Sequence, residues 1–567
     1  MTTSGAVLGL AVWLLAAAGA AGAASPRPHI VFILADDLGW NDVSFHGSNQ
    51  IMTPNIDALA YSGVILHNYY VMPICTPSRA ALLTGRHPAH TGMQRVLYAQ
   101  QPYGLPLRER LLPQYLKELG YATHAVGKWH LGHFQAAYTP TRRGFDSHFG
   151  YWAGHQDYYD HTSQEGPGYW GYDMRRGVGN VSWSSYGRYS TDLFSEEAVR
   201  LIHQHDAETP LFLYLAHLAT HAGNPYQPLQ APADVVGGFA HINDTRRRTF
   251  AGMVAKLDES VGLVVTALRA KGMLENSIIV FSTDNGGPTN GYDNNVASNW
   301  PLKGIKDTPW EGGVRGVGLV WSPLIPDTPR VADHLMHIQD WLPTLLSAAN
   351  YTAELPEDLD GRDMWPVLAG NGSAPYSDLL LDLDRGRGLA ALRSGDWKLV
   401  QRTTNNGNND GWYGPTGRDP DLEYDSARVL SSAVAAALEN TSAPLAANQS
   451  LLLELRAAVT VVCNSSETTE ALEHSPNSLY YDRALFQGSH CEPAAPCLFN
   501  VAADPCELQN LAAARPAEVA RLQALLANYN QSYAEALSPG LDPASNPKYW
   551  NYTWTNWRDY PAPTLLD

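Results

Sequence analysis

The chain has 567 residues, 44% hydrophobic and 10% aromatic, which is a globular composition long enough for a large core and two domains and is neither disordered nor collagenous. Its formal net charge of −18 argues against nucleic acid and against a polybasic membrane contact. Protonation of the 20 His would cancel that charge, so a polyanionic substrate is expected to be met at acidic pH.

Residues 1–24 read as a secretory signal, with an apolar run from Ala6 to Ala18 and small residues through Ala24. No other stretch is apolar enough to span a bilayer, so a lysosomal or secreted protein is expected. Sequons at Asn180, Asn243, Asn350, Asn371, Asn440, Asn448, Asn464, Asn530 and Asn551 agree with that compartment. Of five Cys, four lie late in the chain (Cys463, Cys491, Cys497, Cys506) and can form two disulfides in three ways. Cys75 is left over.

His29–Ala35 is a continuous apolar run, as expected of a buried parallel strand, and it ends in Asp36-Asp37. Open α/β sheets place ligands at that end of a strand. Residues 53–60 read as a packing helix with a capped start. Around Cys75 the expectation is a short helix with Thr76 as N-cap, Pro77 in the first turn and Gly85 at the C′ position. Such a start favours an anion, and Arg79 adds a planar fork for sulfate or phosphate oxygens. Alone, a Cys in such a segment is more often a small buried hydrophobe.

Residues 111–119 predict an amphipathic helix, and residues 121–128 a strand that delivers Lys128 and His130 to one side. The Tyr-, Gly-, His- and Trp-rich residues 138–192 offer either an aromatic wall for sugars or ordinary packing. Residues 210–216 are the next buried strand, followed by His217 and His221; residues 250–271 are a long scaffold helix. Residues 277–281 repeat the strand pattern and end near Asp284-Asn285. Asp36, Asp37, Asp284 and Asn285 form an all-oxygen set that suits calcium or magnesium and lacks the softness zinc favours. Lys303 and Lys306 precede Glu311-Gly312-Gly313, and residues 317–321 read as a strand closing this half of the sheet. Past about residue 370, residues 389–399 and 498–501 predict short antiparallel strands. Residues 403–420 read as a mobile loop, and residues 426–439 and 450–460 as helices.

Two strings carry a resemblance. Cys75-Thr76-Pro77-Ser78-Arg79 with Leu83-Thr84-Gly85-Arg86, and Gly127-Lys128-Trp129-His130-Leu131-Gly132, resemble the two signatures of the type I sulfatases. The stretches 34–43, 141–146 and 310–318 are similar to the arylsulfatase B-like, or N-acetylgalactosamine-4-sulfatase, group. The likeness runs from Asp36 to Glu507 and implies an alkaline-phosphatase-like α/β sandwich. That fold has a large mixed, mostly parallel sheet flanked by helices, plus a smaller C-terminal α+β domain with an antiparallel sheet. The expected division is residues 1–24 signal peptide, 25–370 catalytic domain and 371–567 C-terminal subdomain.

The resemblance also implies chemistry. Cys75 would be oxidised to formylglycine by a formylglycine-generating enzyme, which accounts for the unpaired Cys. One calcium ion would sit on Asp36, Asp37, Cys75, Asp284 and Asn285. Arg79, Lys128, His130, His221 and Lys306 would complete the catalytic set, with His221 or Lys306 protonating the leaving oxygen. Lys303 would assist or face solvent, and His217 would pack at its strand end. The implied substrate is an aryl sulfate or a sulfated sugar such as N-acetylgalactosamine 4-sulfate in a glycosaminoglycan. Two departures stand out: Ala222-Gly223-Asn224 follows His221, and the N-terminal part holds only one Cys. A metal-dependent phosphatase or phosphodiesterase would share the fold, but such enzymes use Ser or Thr and two metals with His ligands. A non-catalytic glycan-binding relative predicts lost ligands, whereas every expected position is filled. The sequence sets no oligomeric state.

Overall fold

The computed structural model describes residues 27–370, 372–419, 421–463 and 491–563. The expected signal segment and the sequons at Asn371 and Asn464 lie outside the described residues. Ten strands form the main sheet: β1 (His29–Ala35), β2 (Val64–Leu66), β3 (Ala122–Lys128), β4 (Ser147–Tyr151), β5 (Arg175–Arg176), β6 (Asn180–Val181), β7 (Leu211–Ala216), β8 (Ser277–Thr283), β9 (Gly318–Trp321) and β10 (Arg330–Ala332). Their order is β10-β2-β9-β8-β1-β7-β3-β4-β5-β6. The five central strands, β8-β1-β7-β3-β4, are all parallel, and antiparallel β9 and β5 flank them.

β1 shows why the sheet is covered on both faces. Side chains of a strand alternate, and here every position is apolar and buried except His29, which is also buried. Val31, Ile33 and Ala35 join one core with Phe194 of α2 (Ser190–Gln204) and Phe250, Leu257 and Val264 of α3 (Thr245–Ala270). Ile30, Phe32 and Leu34 join the other, with Leu82 of α1 (Cys75–Thr84) and Trp341 of α4 (Trp341–Ala348). Each fully buried Leu, Ile or Phe contributes about 1.5–3 kcal/mol.

A second, four-stranded antiparallel sheet follows: β11 (Asp378–Asp384), β12 (Leu389–Ser394), β13 (Trp397–Val400) and β14 (Cys497–Asn500). Leu522 and Leu526 of α5 (Pro516–Tyr529) cover it. A buried ion network ties it to the main sheet. Lys398 Nζ lies 2.9 Å from Glu311 Oε1 and 2.8 Å from Glu507 Oε1, and Glu507 Oε2 accepts the Glu311 N–H at 2.8 Å. The disulfides are Cys463–Cys506 and Cys491–Cys497, and Cys75 is free.

Residues 403–419, expected from their Asn and Gly content as a mobile loop, make bonds to the rest of the chain. Asp410 accepts from the Trp310 indole at 2.8 Å, the Gly411 carbonyl accepts from Gly304 N–H at 2.7 Å, and Thr416 is buried. The sequons at Asn180, Asn243, Asn350, Asn440, Asn448 and Asn551 are exposed; Asn530 is half-buried. Among the described residues no helix is long and apolar enough to cross a membrane.

Candidate active site

Because β8, β1, β7 and β3 are adjacent and parallel, their C-terminal ends open on one edge of the sheet. Asp36 and Asp37 leave β1 there, Asp284 and Asn285 leave β8, Lys128 ends β3, and His221 lies five residues past β7. α1 starts at the same edge with Cys75, so four distant segments meet the front of one helix.

The helix begins two residues earlier than the sequence expectation. Ile74 is the N-cap, Cys75 is the first helical residue and Gly85 closes the helix at φ 67°. Thr76 is no cap, because its hydroxyl bridges two neighbouring loops. It accepts from the Leu97 N–H at 3.2 Å and donates to the His130 carbonyl at 3.3 Å.

The charged side chains interlock in the interior. Asp36 Oδ2 accepts from Lys128 Nζ at 2.6 Å, and its other oxygen lies 3.6 Å from Arg79 Nη2. Asp284 Oδ2 takes Arg79 in a fork, 3.1 Å from Nε and 2.7 Å from Nη2. Asp37 Oδ2 accepts from Lys306 Nζ at 2.9 Å and Oδ1 from Asn285 Nδ2 at 2.7 Å. All of these residues are buried. Burial would raise Asp36, but Lys128 and Arg79 hold it below the usual carboxylate range. Burial pushes Asp37 up to about 7 against the pull of Lys306, and Asp284 up to about 6 with Asp36 adding to it and Arg79 opposing. Burial likewise raises the Cys75 thiol far above its ordinary value, so the unmodified side chain is a poor thiolate nucleophile.

The two histidines are fixed in opposite tautomers. His130 places Nε2 2.8 Å from the Leu97 carbonyl, so that nitrogen carries the proton and Nδ1, buried and without a hydrogen-bond partner among the described residues, is the free base. His221 places Nδ1 2.6 Å from the Ala222 carbonyl, leaving Nε2 to accept from Lys306 Nζ at 3.3 Å. Burial and neighbouring ammonium groups, Lys128 for His130 and Lys306 for His221, hold both well below the ordinary value. Burial opposes Lys306, but Asp293 and Asp37 raise it well above its own. The pair therefore carries one proton, and it rests on Lys306.

His130 does not reach the site by strand alternation with Lys128. β3 ends at Lys128, and His130 lies in the next loop in left-handed backbone (φ 56°). Lys303 neither assists nor faces solvent: it is buried over the Trp310 ring, 3.8 Å from its centroid. His217 is packed as expected, with Nε2 3.0 Å from Ser260 Oγ. The aromatic residues Tyr151, Trp152 and Tyr158 are buried in the two cores, so this part of residues 138–192 packs rather than lining a wall. Two residues at the site had no motif to reveal them. Asp293 Oδ2 holds Lys306 Nζ at 2.9 Å, and the His155 ring stacks on His221 with centroids 6.0 Å apart and planes 9° apart. An Asp in a Gly- and Asn-rich turn shortly before a site Lys was the signal available for the first.

The donors fit a hard divalent cation. Asp36 Oδ1 and Asn285 Oδ1 are buried and accept no hydrogen bond among the described residues. Ligand atoms of Asp36, Asp37, Cys75 and His221 all lie within 4.8 Å of one another. Asp284 stands at the edge of this group, its Oδ1 accepting the Asp37 N–H at 3.2 Å. Burial is the main cause that raises Asp37 and Asp284, and a bound cation would favour their ionised forms.

The sulfatase family model matches residues 28–351, more than half of the chain, and the chain belongs to that family of sulfuric ester hydrolases. It is 37% identical to arylsulfatase J of Mus musculus over 95% of this chain and 81% of that protein. It is 34% identical to N-acetylgalactosamine-6-sulfatase of Canis lupus familiaris over 69% and 74%. Among solved structures it is similar to Ps i-CgsB, with TM-score 0.65, 26% identity, and 90% and 94% of the two chains covered. Ps i-CgsB is also known in complex with k-i-k-neocarrahexaose.

Proposed function

We propose that the site hydrolyses sulfate esters through a formylglycine made from Cys75, with one calcium ion held by Asp36, Asp37, Cys75, Asp284 and Asn285. One observation carries the reading: Cys75, the free Cys, is buried at a helix start among three carboxylates and three cations. As its hydrate, formylglycine would supply one hydroxyl that passes its proton to a facing Asp carboxylate as it attacks sulfur and the ester S–O bond breaks, and a second whose deprotonation breaks the C–O bond to sulfate and restores the aldehyde. A bound calcium supplies Lewis acidity for the sulfuryl oxygens and the attacking hydroxyl. Arg79, Lys128, Lys306 and the helix start hold the sulfuryl oxygens and take up the charge that grows on them. Lys306 donates the proton to the departing oxygen, directly or across the His221 Nε2 beside it. His130 Nδ1 receives the proton of the second hydroxyl.

The substrate is a sulfated sugar. The motif likeness favours N-acetylgalactosamine 4-sulfate, the dog relative's name the 6-position, and the neocarrahexaose complex an oligosaccharide. A secretory route to the lysosome or outside is supported by the exposed sequons and two disulfides. We place the division near residue 370, a reading supported by the start of the second sheet at Asp378.

The test is a mass of the tryptic peptide carrying Cys75, together with turnover of an aryl sulfate, an aryl phosphate and 4- and 6-sulfated N-acetylgalactosamine. The expected peptide has lost sulfur and two hydrogens and gained oxygen. The aryl sulfate and not the phosphate turns over, and Cys75→Ala abolishes it. Chelation lowers the melting temperature of the wild type, and calcium restores it; Asp284→Ala removes that response. An unmodified thiol in fully active protein refutes the reading.

A further inference from the structure

The pair Lys306 and His221 is nearly buried, with side-chain exposures of 3% and 11%. Side-chain exposure rises outward from Asp37 (0%) through Lys306 (3%) to Asp293 (39%). Asp293 is therefore the charged group between Lys306 and solvent. His155 is stacked on His221 and lies 3.8 Å from Glu165.

The Asp293 segment is built to hold that place. Asn290, Asp293 and Asn294 all adopt left-handed backbone, a conformation Asn and Asp tolerate. Its rear is tied down: Asn294 O accepts from Arg246 Nη2 at 2.8 Å, Asn295 Nδ2 donates to Thr220 O at 2.9 Å, and Val296 O accepts from Arg247 Nη1 at 3.0 Å. Asp293 Oδ2 is committed to Lys306, while Oδ1 has no hydrogen-bond partner among the described residues. Burial would raise the carboxyl, but the Lys306 ammonium holds it down to about 2, so it is ionised and can only accept.

We propose that Asp293 is a specificity-determining residue that accepts a hydrogen bond from a hydroxyl on the carbon next to the sulfate ester. The inference rests on assigning Lys306 and His221 to the leaving oxygen. If Lys306 Nζ contacts that oxygen, a carboxylate 2.9 Å from Nζ stands beside the neighbouring carbon of the leaving group. A fixed anion there favours a donor and repels a second sulfate. The substrate class is thus a monosulfated sugar unit with a free hydroxyl vicinal to the ester. A unit sulfated at both adjacent positions is excluded.

Two probes separate this from a role exerted only through Lys306. 4-Nitrocatechol sulfate carries a hydroxyl next to the ester, and 4-nitrophenyl sulfate does not. Asp293→Ala is expected to lower kcat/KM for the first about tenfold more than for the second, the loss of one charge-assisted hydrogen bond. Asp293→Asn, which keeps an acceptor oxygen, recovers most of that gap. An equal loss on both esters overturns the proposal, because it leaves Asp293 only to position Lys306; no loss on either overturns it too. Failure of the underlying assignment reads differently: Lys306→Ala then leaves both turnovers intact and removes the premise.

Discussion

A buried imidazole costs stability in acid, and His217 isolates that cost. It sits in the core behind β7, and burial lowers it from 6.5 to about 3. The unfolded chain binds a proton at this residue more tightly than the folded one. The contribution is whole above pH 6.5 and lost as pH falls from there toward 3. At pH 5.5 the difference is about 1.4 kcal/mol. Denaturant unfolding of His217→Gln between pH 7.5 and 5.5 is expected to fall less steeply than that of the wild type by this amount. His29, His133, His148 and His337 are lowered in the same way, to about 4, 3, 4 and 3. The 20 His therefore do not all become charged in mild acid, and the simple cancellation of −18 read from composition does not hold. At this scale Cys75, Arg79, Asp36, Asp37, Lys128, Asp284 and Lys306 were legible because each sits in a motif or at a strand end. Asp293 and His155 were not, since turn residues take their meaning from what the fold brings opposite them.

At the scale of elements, the strands were read closely and their ends less so. Runs 29–35, 211–216 and 277–283 are buried throughout and apolar except at His29, Ser277, Ser282 and Thr283, as a strand covered on both faces of a parallel sheet requires. Helix starts and loops depend on tertiary partners: Thr76 was drawn away from capping by Leu97 and His130, and residues 403–419 by Trp310 and Gly304. The paired glycines have a common physical reason. A Cβ on Gly286 would lie 1.8 Å from the Gly312 carbonyl, and Gly286 N–H donates to Gly313 O at 3.0 Å, so the Asp-Asn-Gly-Gly and Glu-Gly-Gly strings interlock by backbone. Gly85, which ends α1, offers the test. Its φ of 67° disfavours any side chain, and a Cβ would lie 2.8 Å from Leu359 Cδ1. Gly85→Ala is expected to lower unfolding free energy by about 1–2 kcal/mol or more, read by denaturant melts, with the site residues intact.

At the scale of the molecule, the second sheet is joined to the first through charge. Lys398 of β13 lies between Glu311 and Glu507, all three side chains 0% exposed. Burial and Glu311 raise Glu507 to about 7, against the pull of Lys398. Lys398→Met leaves two buried carboxylates without their cation and is expected to cost about 3–5 kcal/mol. Lys398→Met with Glu507→Gln is expected to recover part of it; equal melting temperatures for Lys398→Met and wild type refute the role. In the sequence the motif Glu311-Gly312-Gly313 served to locate Lys306. In the fold its Glu is a joint, and only the nearby Lys306 enters the site.

That joint also sets a clock. Glu311 cannot be capped until Glu507 has left the ribosome, roughly 430 residues after Cys75, or roughly 20–90 s at 5–20 residues per second. Once the strands close around α1, the Cys75 side chain is sealed. If Cys75 is oxidised as proposed, the enzyme that does so has to reach an open peptide, and the time needed to complete the fold is the upper bound on its working time. On that proposal the length of the chain downstream of Cys75 would be a property of maturation as well as of the finished fold.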